Sequence, residues 1–206
     1  MKRKLVALMA LLAGLALAQT TDPTKDSHTV TVNIPSILQL TLDAEDYLFN
    51  FADTSLTGTE TVTVGGTPYT KASQAAYYAF LDAASGTQDF APTSIENAAN
   101  PDYGTVTVLT NRAQWTVKID SISGSLTLGN GRVKVFAEKV SGKGSSQTST
   151  PTSIAANLEL AKATSGGQGK STYKLYYLFT MDITDDIPLG GIDHESITVN
   201  LLLTSP

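Results

Sequence analysis

The segment QWTVKIDS (Gln114–Ser121) alternates apolar and polar side chains along its whole length. Trp115, Val117 and Ile119 point to one face of an extended chain, and the polar side chains between them point to the other. This period of two predicts a β-strand with one buried face. The single tryptophan of the chain lies on that face. We therefore expect the indole of Trp115 to fill the space between two sheets.

Strands with the same pattern recur along most of the chain. His28–Ile34 and Ser196–Thr204 alternate as regularly as the segment around Trp115. Further strands are predicted at Ile37–Leu42, Tyr47–Phe51, Thr61–Val64, Tyr103–Thr110, Arg132–Glu138, Leu158–Ala161 and Tyr173–Ile183. The last of these is apolar on both faces, which is typical of a central strand. About ten short strands separated by turns predict an all-β fold, an antiparallel sandwich or barrel.

Two segments depart from the strand pattern. Ala72–Ala84 is rich in alanine and has no glycine or proline, so it predicts one short helix with an apolar stripe. The expected stripe consists of Ala76, Ala79, Phe80 and Ala83. Ser141–Ser153 is polar and of low complexity, and it predicts a long mobile loop at 141–153 or a disordered insertion.

Two turn signals lie beside predicted strands. Gly129–Gly131 separates Ser125–Leu128 from Arg132–Glu138, which predicts a β-hairpin. Pro35 interrupts the apolar pattern between the first two strands, and proline inside such a run indicates a kink or a change of sheet.

The N-terminus has the three parts of a secretory signal peptide. Met1–Lys4 is basic, Leu5–Leu17 is apolar, and Ala16–Ala18 has the small residues of a cleavage site. The alternative is an uncleaved anchor, but a spanning helix needs about 20 apolar residues. We predict a signal peptide at 1–18, a flexible mature N-terminus at 19–27 and one sandwich domain at 28–206. The protein is then secreted, with an extracellular, cell-surface or periplasmic location and no later membrane span.

Composition excludes several classes of function. The chain has no cysteine, so disulfides and thiolate metal sites are excluded. Its formal net charge is -5, whereas binding to nucleic acid needs a basic face. Its two histidines, His28 and His194, leave little material for histidine catalysis.

Acidic residues gather around the turn before the last predicted strand. Calcium takes several carboxylate and carbonyl oxygens, so these side chains are candidate calcium ligands. The alternative is that they cap backbone amides in a turn. The candidates are Asp182, Asp185, Asp186 and Asp193, and a smaller acidic turn contains Asp43, Glu45 and Asp46. No other cofactor is predicted.

Catalytic motifs are not recognisable in the sequence. Thr164–Thr172 (TSGGQGKST) resembles a phosphate loop, but position 164 is threonine where the motif needs glycine, and a strand is predicted where the motif needs a helix. His194 lies in an acidic loop, and no serine has a nucleophile-elbow context. We predict a protein that is not an enzyme.

Three parts of the chain together carry a resemblance to a known group of proteins. They are Val32–Leu38, with its proline; Gly104–Val117, a strand and turn leading to tryptophan; and Leu175–Ile183 with Asp186–Gly191 and Ile197–Leu203. This order resembles secreted bacterial β-sandwich surface proteins of the WxL-type, spore-coat-U and pilin-like groups. The resemblance implies an antiparallel Greek-key, immunoglobulin-like β-sandwich and a structural role without catalysis.

These observations favour a structural protein of the cell surface. It would assemble as a homo-oligomer, or with other surface proteins, into a fibre, a pilus-like filament or an extracellular matrix. Val30, Val32 and Ile34 would form the self-assembly strand, which can pair with its own sheet or with the exposed edge of a neighbour. The alternative is an adhesion module that binds protein or envelope carbohydrate through Tyr69, Tyr77 and Tyr78. A secreted hydrolase is disfavoured.

Overall fold

The computed structural model describes residues 29–83 and 86–206. The predicted signal peptide, the segment 19–27, His28 and Ala84 lie outside the described residues. Pro35–Pro206 form one compact unit, to which Thr29–Ile34 do not belong. No helix in the described ranges is long and apolar enough to cross a membrane.

Strands are the main secondary structure in the described part of the chain, which also has one α-helix and one short 3-10 helix. The helix α1 is Gln74–Ala83, and the 3-10 turn is Asn130–Arg132. The strands are β1 Leu38–Leu42, β2 Asp46–Leu48, β3 Thr61–Val64, β4 Thr67–Thr70, β5 Thr87–Phe90, β6 Ser94–Glu96, β7 Gly104–Thr110, β8 Trp115–Gly124, β9 Val133–Ser141, β10 Ser145–Ser146, β11 Thr152–Ser153, β12 Glu159–Ala163, β13 Gly169–Asp182 and β14 Ile197–Thr204. The all-β fold with one helix is confirmed.

Two antiparallel sheets face each other. The larger sheet has the order β1-β7-β13-β9-β11, with β5 paired to the end of β13, and the smaller has the order β10-β12-β8-β14. The path β7-β8-β9-β12-β13-β14 changes sheet at every step. Each connection therefore joins one sheet to the other. The Greek-key, immunoglobulin-like topology stays a prediction.

The main core lies between the sheets. Trp115, Val117 and Ile119 of β8 face Val108 and Leu175 of the larger sheet, and all are buried. Trp115 is 1% exposed, so its predicted place between the sheets is confirmed. Burying an aromatic side chain of this size removes a large apolar area from water, which is the main stabilising contribution to such a core.

The larger sheet is covered on its other face as well. Tyr176 and Leu178 of β13 pack there against Val62 and Val64 of the β3–β4 hairpin. Because consecutive side chains of a strand point to opposite faces, β13 must be apolar on both. The predicted central position of this strand is confirmed, since it pairs with β7 and β5 on one side and β9 on the other.

The helix α1 adds to this outer layer. Ser73 precedes the helix, and its hydroxyl accepts a hydrogen bond from the Ala76 amide at 3.2 Å, as an N-cap residue does. Ala76 and Phe80 are buried against Phe90 and Met181. Two members of the predicted stripe are exposed instead, Ala79 and Ala83. The apolar stripe is therefore narrower than the sequence indicated.

The predicted hairpin at Gly129–Gly131 is wrong. Ser125–Leu128 contains no strand, and the glycines flank the 3-10 turn that leads from β8 into β9. These two strands belong to different sheets. The two glycines therefore lie in a connection between the two sheets. A local turn signal cannot distinguish such a connection from a hairpin, because glycine fits any turn that needs a positive φ, as Gly129 has here.

The polar segment at 141–153 differs from the predicted mobile loop. It contains β10, which pairs with β12, and β11, which pairs with β9. Thr148 is buried, and its hydroxyl accepts the Ala137 amide of β9 at 2.9 Å. The Lys143 amide donates to the Ser171 hydroxyl at 2.9 Å. Hydroxyl groups of short side chains here accept hydrogen bonds from main-chain amides that have no neighbouring strand to bond with. Composition alone predicts a loop, because it does not show these partners.

The predicted strand at His28–Ile34 is wrong for its described part. None of the strands in the described ranges includes Thr29–Ile34. Val30, Val32 and Ile34 are 74%, 69% and 78% exposed. Alternation predicts which side chains would share a face in a strand, but a strand also needs a neighbour to bond with.

Candidate functional site

Two of the predicted calcium ligands form a hydrogen-bonded turn. Asp182 accepts hydrogen bonds from the Thr184 amide at 2.9 Å and the Thr184 hydroxyl at 2.7 Å. These bonds lower the pKa of the Asp182 carboxyl, with a smaller contribution from Arg132. Asp185 accepts the Asp182 amide at 2.7 Å and pairs with the Arg132 guanidinium. Both carboxylates therefore have protein partners.

The structure does not assemble the predicted calcium site. The Asp193 side chain is 85% exposed and faces His194 at 3.3 Å, and Asp186 follows the Asp182–Asp185 turn. Among the described residues, no three acidic or histidine side chains are grouped to share a metal ion. The carboxylates of this region fit the alternative reading, in which they hold turns together.

Two carboxylates of the smaller acidic turn also have hydrogen-bond partners within the protein. Asp43 accepts the Thr105 amide of β7, and Glu45 accepts the Asn97 side-chain amide at 2.6 Å. Asp46 lies opposite Glu96 in the β2–β6 pair. Like charges directly opposite each other in such a pair are unfavourable.

A shallow cleft of about 390 Å³ opens at one end of the sandwich. Its most polar lining residue is Arg112, which donates to the Ser205 hydroxyl at 3.2 Å and to the Pro206 carbonyl at 2.9 Å. The guanidinium is thereby tied to the end of β14. Acidic and histidine side chains are absent from the lining of this cleft.

The three tyrosines of the adhesion alternative have different surroundings. Tyr69 is half-buried against the cluster under the β3–β4 hairpin, and Tyr77 stacks on Phe80 with ring centroids 6.5 Å apart. Tyr78 is 56% exposed. The structure therefore does not bring the three rings together as one contact surface.

The residues directly before β1 are hydrogen-bonded to Asn111, which follows β7. The Asn111 side chain accepts the Ile37 amide at 2.9 Å and donates to the Pro35 carbonyl at 2.7 Å. Its amide group thus bonds to residues 35–37 as a strand partner would. Sequence reasoning missed this residue, because an asparagine after a strand is a common turn residue and gives no other signal.

The two long sides of the sandwich differ in whether a segment of the chain pairs with both sheets there. On one side the segment 145–153 crosses between the sheets and pairs with both, through β10 and β11. On the other side, β1 and β14 are the outermost strands of their sheets, and in the described residues they form no ladder with each other. The side formed by β1 and β14, whose strands also contact each other, is the candidate functional site.

Comparison with protein-family models, curated proteins and solved structures finds no match for this chain.

Proposed function

We propose that this protein is a secreted, non-catalytic structural subunit of the cell surface that assembles with copies of itself through Thr29–Ile34. The assembly would be a fibre, a pilus-like filament or a matrix. The observation that carries the proposal is the exposure of Val30, Val32 and Ile34, three apolar side chains at every second position. A strand with this pattern lowers its free energy by pairing with a sheet edge and burying those side chains.

The charge distribution supports the same function. Thr29–Leu42 carries no charged residue, although the chain as a whole carries a formal net charge of -5. Copies of an acidic protein repel one another at long range, and an uncharged segment reduces that repulsion where contact is made. Secretion is supported by the signal-peptide pattern at 1–18.

The test uses the mature chain and two matched variants. We expect the wild type to form oligomers in sedimentation velocity and filaments or a meshwork in electron microscopy. A variant with Val30→Ser, Val32→Ser and Ile34→Ser should stay monomeric, because it keeps the segment but removes the apolar surface that would be buried. Deletion of Gln19–Ile34 should have the same effect.

The control is Val140→Ser, which changes a valine of β9 that is 54% exposed. This variant should assemble as the wild type does. A wild type that stays monomeric at all concentrations would contradict the proposal. So would a triple serine variant that still assembles.

A further inference from the structure

We propose that Asn130–Gly131 is a site of spontaneous deamidation that the fold holds closed, and that the reaction loosens the connection between the two sheets. An asparagine followed by glycine is the pair most open to this reaction, because glycine has no Cβ to shield its main-chain nitrogen. The proposal goes beyond the proposed function, and neither its argument nor its test depends on self-assembly.

The reaction needs only the chain and water. The main-chain nitrogen of Gly131 attacks the side-chain Cγ of Asn130, and a carbon–nitrogen bond forms. The Nδ2 nitrogen takes up the proton of the attacking nitrogen and leaves as ammonia. The resulting cyclic succinimide then adds water at one of its two carbonyl carbons. Opening at one carbon gives aspartate, and opening at the other gives isoaspartate, in which the main chain runs through the former side chain.

The surroundings of Gly131 leave room for this chemistry. Gly131 is exposed, so water reaches the peptide bond. A Cβ at this position would meet nothing within 4 Å. Neighbouring atoms therefore do not block the reaction, and any protection must come from Asn130 itself.

The hydrogen bonds of the Asn130 side chain oppose the reaction. Its Oδ1 accepts the Leu126 amide at 3.0 Å, and its Nδ2 donates to the Gly124 carbonyl at 3.1 Å. Asn130 is also the first residue of the 3-10 turn, in which ψ is about −20 to −30°. Ring closure requires rotation about this bond and release of both hydrogen bonds. Deamidation therefore requires local opening of the connection.

The same two hydrogen bonds hold the chain between β8 and β9. They join Asn130 to Gly124 and Leu126, and the Gly129 amide donates to the Leu126 carbonyl at 2.8 Å. This stretch packs Leu126 against the core between the sheets and Leu128 against the cluster that contains Phe80 of α1. The Asn130 side chain thus fixes a segment that contacts both apolar layers.

Both products lack the donor to the Gly124 carbonyl. An ionised carboxylate only accepts hydrogen bonds, so it cannot replace the amide there. The new negative charge is also added to a connection in which Thr127 already bonds to the Glu195 carboxylate. In isoaspartate the main chain is longer by one carbon as well. Since a carbonyl that loses its partner is unfavourable, the modified connection should open more easily than the unmodified one.

The first test follows the reaction in the mature chain by peptide mapping. Trypsin releases the peptide Ile119–Arg132, in which Asn130 is the only side-chain amide. We expect its conversion to aspartate and isoaspartate to be at least about ten times slower in the folded protein than in urea, because only the open connection reacts. The internal control is the tryptic peptide Gly144–Lys162, whose Asn157 is followed by leucine and should convert far more slowly in urea.

Variants separate the chemistry from its consequence. Gly131→Ala should slow the conversion in urea severalfold, because the added Cβ shields the attacking nitrogen, and it should fold as the wild type does. Asn130→Asp should lower the urea midpoint of unfolding, because the donor to Gly124 is lost. The matched control Asn157→Asp should not lower it, because an oxygen at Oδ1 still accepts the Lys118 Nζ, now at 2.7 Å.

Equal rates of conversion in the folded protein and in urea would overturn the protection by the fold. No conversion in urea would overturn the site itself. A stability of Asn130→Asp equal to that of Asn157→Asp would overturn the consequence for the connection. An Asn130→Asp chain that fails to fold beside a folded Asn157→Asp would support that consequence, and the comparison of rates uses the wild type alone.

Discussion

The indole of Trp115 packs against two glycines, Gly144 and Gly167, which belong to two different loops. Its indole Nε1 donates to the Gly167 carbonyl at 2.8 Å, and its ring lies edge-on to Tyr173 with centroids 6.3 Å apart. A Cβ at Gly144 would lie 2.9 Å from the indole. The glycine-rich stretch Thr164–Thr172, which resembles a phosphate loop, therefore supplies the hydrogen-bond acceptor for the buried indole and packs against it.

At Gly167, a methyl group should destabilise the fold. A Cβ there would lie 2.6 Å from Trp115 Nε1 and 2.8 Å from the Ala163 Cβ. We expect Gly167→Ala to lower the free energy of unfolding by about 1–3 kcal/mol, the usual cost of overpacking, in urea titrations followed by tryptophan fluorescence. The control is Gly131→Ala, where a Cβ meets nothing within 4 Å. Equal stabilities of the two variants would contradict this account.

The helix and the β3–β4 hairpin form a layer over the larger sheet, and each contributes a few large side chains. Phe80 of α1 packs edge-on against Phe90 of β5 with ring centroids 6.0 Å apart. Phe51 contacts the same Phe90 at 5.1 Å. The layer buries the second face of β13 and so stabilises the central strand of the sandwich.

Two aromatic residues of α1 should therefore respond differently to truncation. Phe80 is 3% exposed and Tyr78 is 56% exposed. We expect Phe80→Ala to cost about 3–5 kcal/mol of unfolding free energy, as core aromatic truncations do. Tyr78→Ala should change it by less than about 0.5 kcal/mol. Thermal or urea unfolding of both variants measures the difference, and a comparable loss in Tyr78→Ala would show that the outer face of α1 is covered.

Across the whole molecule, buried tyrosines of β13 join the layers. The Tyr173 hydroxyl donates to the Lys143 carbonyl in the crossing segment at 2.9 Å. Tyr177 lies in the core with its ring 4.7 Å from Tyr47, whose hydroxyl donates to the Leu175 carbonyl at 3.2 Å. Burial raises the pKa of Tyr173 to about 12 and the pKa values of Tyr177 and Tyr47 further above 10.0.

The stability of the protein should consequently fall in alkali. A phenol whose pKa is raised on folding contributes fully below its unfolded value of 10.0, and this contribution is lost as the pH rises towards the folded value. We expect the free energy of unfolding to decrease as the pH rises above 10.0, with the phenolate absorbance of the buried tyrosines appearing only on unfolding. Tyr177→Phe keeps the ring and removes one ionising group, so its stability should fall less steeply. A wild type whose stability is constant across this range would contradict the prediction.

Much of the sandwich could be predicted from local pattern, and the exceptions have a common cause. Alternation located β3, β7, β8, β9, β13 and β14 within a few residues, because burial of one face imposes that period. The same reasoning predicted burial for Trp115. It could not predict β10 and β11, since Ser145–Ser146 and Thr152–Ser153 are strands only through partners distant in the chain.

The sequence by itself determined the all-β class, the inward faces of the main strands and the uncharged, alternating character of Thr29–Ile34. Only the tertiary structure decided which strands have neighbours. It closes one side with the polar segment 145–153, leaves β14 at the edge of its sheet, and gives Thr29–Ile34 no place in a described strand. The physical reason is that side-chain periodicity is a property of a single strand, whereas pairing depends on backbone groups brought together from distant parts of the chain.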